Sequence, residues 1–367
     1  MKAKELKHIE AAMLESTASY FDSNDTGVMS VGGERSAVLK IRDIESLARE
    51  ISTSDEVCFY QKDMRGRARF AATKMGERLL TNIWAKEVID KYYPIHDFNP
   101  FVKAFFESVE EHAQAFHSLR KAQSFDGDLL VLIDSLNRVV ERLRRAVKSK
   151  DFKNEISSHR RLSNKNHKSL ISYIDAVFEE RSRLLVLRVD LGYSKSVVQR
   201  HFREGLQFED VKKHRERFLR LLRARVPPTT FLGHAWKLEF GLSKSFHYHC
   251  MFFLDGSKLR EDIVWGKIIG ELWVENATKG QGVYYNCNRR KNVYRACGIG
   301  MVEHSDKGMR ENLKKAAIYL TKIEYYMRIA TEGRARTFGR GEMPKKPLKK
   351  RGRPRGAPAS EGGEAIA

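Results

Sequence analysis

HAWKLEFGLSKSFHYHCMFFLDG, residues 234–256, is the stretch on which the fold turns. Two strand-like runs, HAWKLEFG (234–241) and FHYHCMFFLDG (246–256), flank the short loop LSKS. Runs rich in aromatic and branched residues, closed by so short a loop, predict a β-hairpin. On a strand, side chains at i and i+2 share a face, so His247 and His249 project together while Tyr248 goes opposite. Glu239 sits eight residues before His247. The hairpin brings its carboxylate beside the imidazole pair.

Working outward, RLLVLRVDLGY (183–193) reads as an earlier strand. FEDVKKHRERFLRLLRARV (208–226) is an amphipathic helix with Val211, Phe218, Leu219 and Leu222 on one face, stopped by Pro227 and Pro228. LREDIVWGKIIGELWVENAT (259–278) returns to helical period, VYRACGIGMVEH (293–304) reads as a strand, and DKGMRENLKKAAIYLTKIEYYMRIA (306–330) as one long helix. The order strand–helix–strand–strand–helix–strand predicts an α+β unit over 181–332, a ferredoxin- or RRM-like antiparallel sheet with flanking helices. Residues 1–180 read as a mostly helical region, for example IRDIESLAREI (41–51), NPFVKAFFESVEEHAQAFHSLRKA (99–122) and DLLVLIDSLNRVVERLRRAVKSK (128–150). Ser124 to Gly127 supply a turn, and the polar run HRRLSNKNHKS (159–169) reads as a connection that a short helix can cross. Residues 333–367, rich in Gly, Pro, Arg and Lys, read as a basic disordered tail.

Charge narrows the partners. The 367 residues carry 68 Lys+Arg against 47 Asp+Glu, a balance of +21. Residues 1–180 hold 29 basic and 28 acidic side chains, residues 181–367 hold 39 and 19, so the excess belongs almost wholly to the second half. Such a field suits a polyanion. A hydrophobic fraction of 41% with 31% charged residues describes a globular protein rather than a disordered chain. No run approaches the ~20 apolar residues of a membrane span, and MKAKELKHIEAAML is too charged for a signal peptide, so a cytoplasmic protein without a membrane partner is expected. The four cysteines form no CxxC pair and no GxxxxGK[ST] loop is present, which removes support for a cysteine-rich zinc site, a disulfide framework or a P-loop motor.

The chemistry concentrates in three places. With 12 His in 367 residues an HxH arises easily by chance. The neighbouring Glu239 changes that reading, because two imidazoles and a carboxylate with open positions suit Mg2+ or Mn2+ rather than a closed structural zinc. The second place is Tyr319-Leu320-Thr321-Lys322. Tyr319 and Lys322 lie about a turn apart on one helix face, where an ammonium favours a phenolate and can hold a phosphate oxygen. Tyr326, seven residues on, is either a core partner or a second nucleophile. The third is YYNCNRRKNVYR (284–295), where Tyr284, Tyr285 and Tyr294 alternate with Arg289, Arg290, Lys291 and Arg295. That pattern suits stacking on unpaired bases with cations on the backbone, or simply a solvated loop. In the tail, Arg351-Gly352-Arg353-Pro354 has the form of an AT-hook core, which lies in a narrow A·T minor groove, and a nonspecific phosphate tether fits it as well.

Together these motifs resemble the HUH endonucleases of rolling-circle replication. More closely, the series RLLVLRVDLGY, WKLEFG, FHYHCMFFLDG and AAIYLTK looks like the YagK/YfjJ C-terminal domain, the inovirus gene-II-like replication initiator family. The likeness covers about residues 180–330. It implies His247 and His249 as metal ligands, Tyr319 as nucleophile with Lys322 beside it, and Glu239 less firmly, since the third ligand varies among such enzymes. The implied activity is nicking and rejoining of one DNA strand at a phage or prophage replication origin through a 5′-phosphotyrosine link. Single-stranded and duplex DNA, and a host helicase and polymerase, are the implied partners. Two other readings stay open: a non-catalytic DNA-binding regulator on the same fold, and a metal-dependent nuclease or primase-like enzyme using Asp190, Glu239 and His247 without a tyrosine adduct.

Overall fold

The strand at 183–193 occupies the middle of the molecule. The computed structural model describes residues 32–112, 129–194, 196–198, 206–242, 244–294, 296–330 and 336–344. In chain order the elements are α1 (Gly32–Thr53), β1 (Phe59–Met64), β2 (Arg67–Ala72), α2 (Lys74–Asn82), α3 (Ala85–Tyr92), β3 (His96–Phe98), α4 (Pro100–Glu110), α5 (Leu129–Lys148) and α6 (Lys150–Glu180). There follow β4 (Arg183–Tyr193), α7 (Phe208–Arg225), β5 (Phe231–Gly241), β6 (Ser245–Asp255), α8 (Asp262–Glu271), β7 (Gly282–Asn286), β8 (Gly300–Glu303), α9 (Lys307–Lys322), β9 (Met327–Ile329) and β10 (Phe338–Arg340). The fold is α+β, and its strands pair antiparallel.

The main sheet has six strands in the order β10-β5-β6-β4-β7, with β8 also on β4. β4 and β5 run parallel with β6 between them, so the α7 connection steps over one strand. β4 changes partner along its length: residues 183–186 pair with β8 and 189–193 with β7. Asn288 closes the gap between them, accepting from the Arg188 N–H at 2.8 Å and donating to the Val186 carbonyl at 3.0 Å. A buried backbone group left unpaired there would cost about 1–3 kcal/mol, which gives that side chain its purpose.

Each face of the sheet has its own cover. Leu185, Leu187, Val189 and Leu191 of β4 join Tyr248, Cys250 and Phe252 of β6 beneath α7 and α8, where Phe218, Leu222, Ile269 and Trp273 complete one core. Trp273 Nε1 donates to the Gly192 carbonyl at 2.9 Å, so even the largest buried ring has its polar atom satisfied. Leu184, Val186, Met251 and Phe253 face the other way, onto α6 and α9 through Tyr173, Val177, Phe178, Leu313 and Ala317. With both faces covered, β4 is an apolar run in which the charges Arg188 and Asp190 stand out.

Several expectations need correction. The run 159–169 is no connection but the middle of the 31-residue helix α6. Its inward positions at that point are polar: His159 donates to the Tyr325 carbonyl at 3.0 Å and Ser163 to the Thr321 carbonyl at 3.2 Å, and both are buried. Only residues 300–303 of the stretch 293–304 form a strand, while the start of the stretch 284–295 belongs to β7. The helix over 306–330 ends at Lys322, and Met327–Ile329 turns back as β9 to pair with β3. The mostly helical first half also holds one hairpin, β1 and β2 across Arg65 and Gly66, both at positive φ.

A unit starting at 181 would strip α6 from the face it covers, and the first half shares one core with α6 and α9. The disordered tail expected from 333 is interrupted by β10, which adds an edge strand against Ala235–Lys237. The 113–122 end of the second expected helix, the turn at 124–127, Arg295, and the tail motif with Arg351 and Arg353 lie outside the described residues. No helix among the described residues is long and apolar enough to cross a membrane.

Candidate active site

The hairpin register sets the site. Glu239 pairs with His247 across β5 and β6, and Asp190 of β4 pairs with His249 on the other side. All four side chains share the face that α6 and α9 cover, because residue parity fixes the face. Ser245, the first residue of β6, holds positive φ (55°), a conformation uncommon outside glycine. Its carbonyl thereby accepts from His247 Nδ1 at 3.0 Å.

That hydrogen bond orients the His247 ring, and a close contact with Asp190 orients the His249 ring. With Nδ1 of His247 donating, its Nε2 points to Glu239 Oε2 at 3.8 Å. Asp190 Oδ1 lies 2.8 Å from His249 Nδ1, a close imidazole–carboxylate contact set off the linear hydrogen-bond axis, and Nε2 of that ring lies 3.2 Å from the same Glu239 oxygen. Two imidazole nitrogens therefore converge on one carboxylate, and the three ligand atoms lie within 4.8 Å of one another. Glu239 Oε1 is buried without a hydrogen-bond partner. An orphaned carboxylate oxygen inside a His₂-carboxylate set is the condition that a divalent cation relieves, so the residues fit a divalent cation.

Electrostatics agree with the geometry. Burial opposes ionising Glu239, yet the His249 and His247 imidazoles and Lys237 hold its carboxyl down at about 2. Asp190 behaves alike: burial is overcome by His249 and Arg188, which keep it at about 2. His247 is pushed down to about 3 by burial, then by His249 and Lys244, so its ring is neutral and ready as a ligand. His249 moves the other way; burial lowers it, but Asp190 and Glu239 together raise it above the ordinary histidine value.

α9 brings Tyr319 to this cluster. The residue is 3% exposed, and its hydroxyl lies 3.4 Å from His249 Nε2. Its ring meets the His249 ring edge to face at 5.0 Å. The Arg188 guanidinium sits 4.0 Å from the centre of the Tyr319 ring, with Nε 3.7 Å from Asp190 Oδ1. Arg188 is thus a site residue missed by sequence reasoning. Its signal was an arginine two places from Asp190 inside an otherwise apolar strand.

The remaining expected residues distribute unevenly. The side chain of Lys322 lies outside the described ones, although its backbone closes α9. Tyr326 does not share a helical face with Tyr319, because α9 has already ended; it is fully buried in the core, and its carbonyl accepts from the Asn99 N–H at 2.8 Å. In the stretch 284–295, Tyr285 and Tyr294 pack against the core instead of standing out as stacking platforms. Lys291 is engaged with Asp262 at 2.7 Å, Arg290 is half-buried and Arg289 is exposed.

A small pocket of about 30 Å³ adjoins Glu239 and His247. Glu34 of α1, Tyr93 and His96 line it from the first half of the chain, opposite Lys237, Lys244 and Arg328. A side chain at Gly241 would make the flexible Glu34 carboxylate shift aside. The pocket has room for an ion or a water, and none for a nucleotide.

The model of one protein family, the YagK/YfjJ C-terminal domain, matches residues 146–341. That span takes in α6 and β10, the two elements the sheet needs beyond 181–332. No curated protein and no solved structure matches the chain. With more than half of its length matched, a span that includes the whole His–Glu–Tyr cluster, the chain belongs to the YagK/YfjJ C-terminal domain family.

Proposed function

We propose that the protein is a metal-dependent DNA strand transferase, a rolling-circle replication initiator of HUH type that nicks and rejoins one strand through Tyr319. The sheet order, with β4 and β5 parallel about β6 and helices returning between them, is compatible with the ferredoxin-like arrangement of such enzymes. The observation that carries the reading is the Tyr319 hydroxyl 3.4 Å from His249 Nε2, at the edge of a three-ligand cluster with an unsatisfied carboxylate oxygen.

His247, His249 and Glu239 would hold the cation, which would supply Lewis acidity at a non-bridging phosphate oxygen when bound. The Asp190 carboxylate, 2.8 Å from Nδ1 of His249, favours a proton on that nitrogen, so that Nε2 faces the cluster. The Tyr319 oxygen attacks phosphorus in line; the bond from phosphorus to the 3′ oxygen breaks as the new ester forms. The phenol gives up its proton and the departing 3′ oxygen gains one, so the protons balance. Ester is exchanged for ester, and the strand can be resealed by the reverse step. Arg188 places a buried positive charge over the ring that develops negative charge.

The test is an SDS-resistant adduct with labelled single-stranded DNA in the presence of Mn2+. Wild type is expected to form it, and Tyr319→Phe to lose it while still binding DNA. An adduct that persists in Tyr319→Phe, or none under any metal while DNA binding is specific in EDTA, removes the reading.

A further inference from the structure

The outer face of α6 takes no part in the site, and its sequence is unusual. Between Glu155 and Asp175 the chain carries Arg160, Arg161, Lys165 and Lys168 and no carboxylate. Lys153, Ser157, Arg161, Lys165 and Lys168 follow one another at three- and four-residue steps, so they share a face about 22 Å long. That face borders an open groove of about 730 Å³, and the described residues lining it include no acid. Lys153, Arg161, Lys165 and Lys168 are all exposed. Four cations so close repel one another, and no surface ion pair of these four stands among the described residues to offset it. Such a face is stabilised by a polyanion.

The opposite face of the same turns is fastened to the nucleophile helix. His159 holds the Tyr325 carbonyl, Ser163 the Thr321 carbonyl, and His167 Nδ1 lies 3.1 Å from Thr321 Oγ1. Thr321 is two residues from Tyr319. The groove is therefore set at a fixed position about one helix diameter, roughly 10 Å, from the end of α9. Cations one turn apart match the separation of successive phosphates on an extended strand. The face has one apolar lining residue, Ile156, too little to insert into a lipid surface.

We propose that this face of α6 is the track for the phosphate backbone of the single DNA strand that Tyr319 handles. The inference rests on the strand-transfer reading for the identity of the strand, but its test does not depend on chemistry. Full-length Tyr319→Phe protein is titrated with a labelled oligothymidylate in EDTA at several salt concentrations. Replacing Lys153, Arg161, Lys165 and Lys168 with Gln should lower the log–log salt slope by about 0.7 per phosphate released, close to 3 in all, and weaken binding at least about tenfold at 0.1 M salt. A matched set on α7, Lys212, Lys213, Arg217 and Arg220 to Gln, should change the slope by less than about 1. Equal losses from both sets mean mere net charge, and overturn the track. So does an unchanged slope in the α6 variant, or a variant that loses only its sedimentation with phosphatidylglycerol vesicles. All four positions are exposed, so an unchanged melting transition is expected and secures the comparison. Should wild type form no adduct, the strand-transfer reading fails while this binding result stands by itself.

Discussion

The Tyr319 hydroxyl lies 3.4 Å from Nε2 of His249, and on the far side of that ring Asp190 lies 2.8 Å from Nδ1. The imidazole is therefore held between a carboxylate and a phenol, with Glu239 at 3.2 Å completing the ligand side. A carboxylate behind a ligating histidine fixes the ring and raises its basicity. Asp190→Asn should lower Mn2+ affinity about 10–100-fold, measured by calorimetry on the folded protein. An unchanged affinity would mean that Asp190 is present only to neutralise Arg188.

The two histidines predict an uneven pH dependence. His247, held down at about 3, is neutral throughout the working range and gives up no proton on binding. His249, whose value is raised by Asp190 and Glu239 against the effect of burial, keeps its proton to higher pH than an ordinary imidazole. Metal needs the neutral ring, so Mn2+ affinity should increase as pH rises through that raised value, with release of about one proton on binding below it. Calorimetry in buffers of different ionisation enthalpy counts that proton. Release of two, or none, contradicts the assignment.

How far this site was legible depends on which contacts are local. Glu239 and His247 are joined by a hairpin, so composition and loop length placed them opposite each other, as the register has it. Asp190 belongs to a strand 59 residues before its partner His249, and nothing in the spacing says which strand lies beside β6. α6 was obscured by its own chemistry. Its inward row runs Phe152, Ile156, His159, Ser163, Leu170, Tyr173, Val177, and where polar residues bind Thr321 and Tyr325 the apolar period vanishes. The pairing of β3 with β9, three residues each, is too short to leave any alternation to read.

Next to the site, Lys237 Nζ donates to Glu324 Oε1 at 2.6 Å, and both residues are buried. Thr337 and Asn166 also bond that carboxylate, joining β5, α6 and the chain ahead of β10. Lys237→Met alone strands a buried charge and should cost about 3–5 kcal/mol, whereas Lys237→Met with Glu324→Gln should recover much of it. Burial works against the Glu324 charge, but Lys237 and the hydrogen bonds lower its folded value below the ordinary 4.5. A depressed acid contributes stability that is complete above 4.5 and lost as pH falls through the folded value. Wild type should therefore lose melting temperature on acidification more steeply than the double variant. Parallel curves for the two would assign the acid sensitivity to other carboxylates.

The pocket beside Glu239 and His247 holds about 30 Å³, and part of its wall is Glu34, Tyr93 and His96 from the first half of the chain. A scissile phosphodiester with its flanking sugars cannot enter that space. If the strand reaches Tyr319 from this side, the cover must move, and one short attachment is the three-residue β3–β9 pairing, with the Arg328–Asp97 ion pair across it and flanking bonds from Ala330 N–H to the Ile95 carbonyl and from Asn99 N–H to the Tyr326 carbonyl, both 2.8 Å. Short ladders open at little cost compared with global unfolding. Adding single-stranded oligonucleotide to Tyr319→Phe protein should accelerate amide exchange in segments 93–99 and 326–330, while the buried strands β4 and β6 remain protected. Unchanged or slower exchange in those segments, together with DNA binding and adduct formation by wild type, would place the strand's entry on the α6 side, with the first half of the chain a fixed wall.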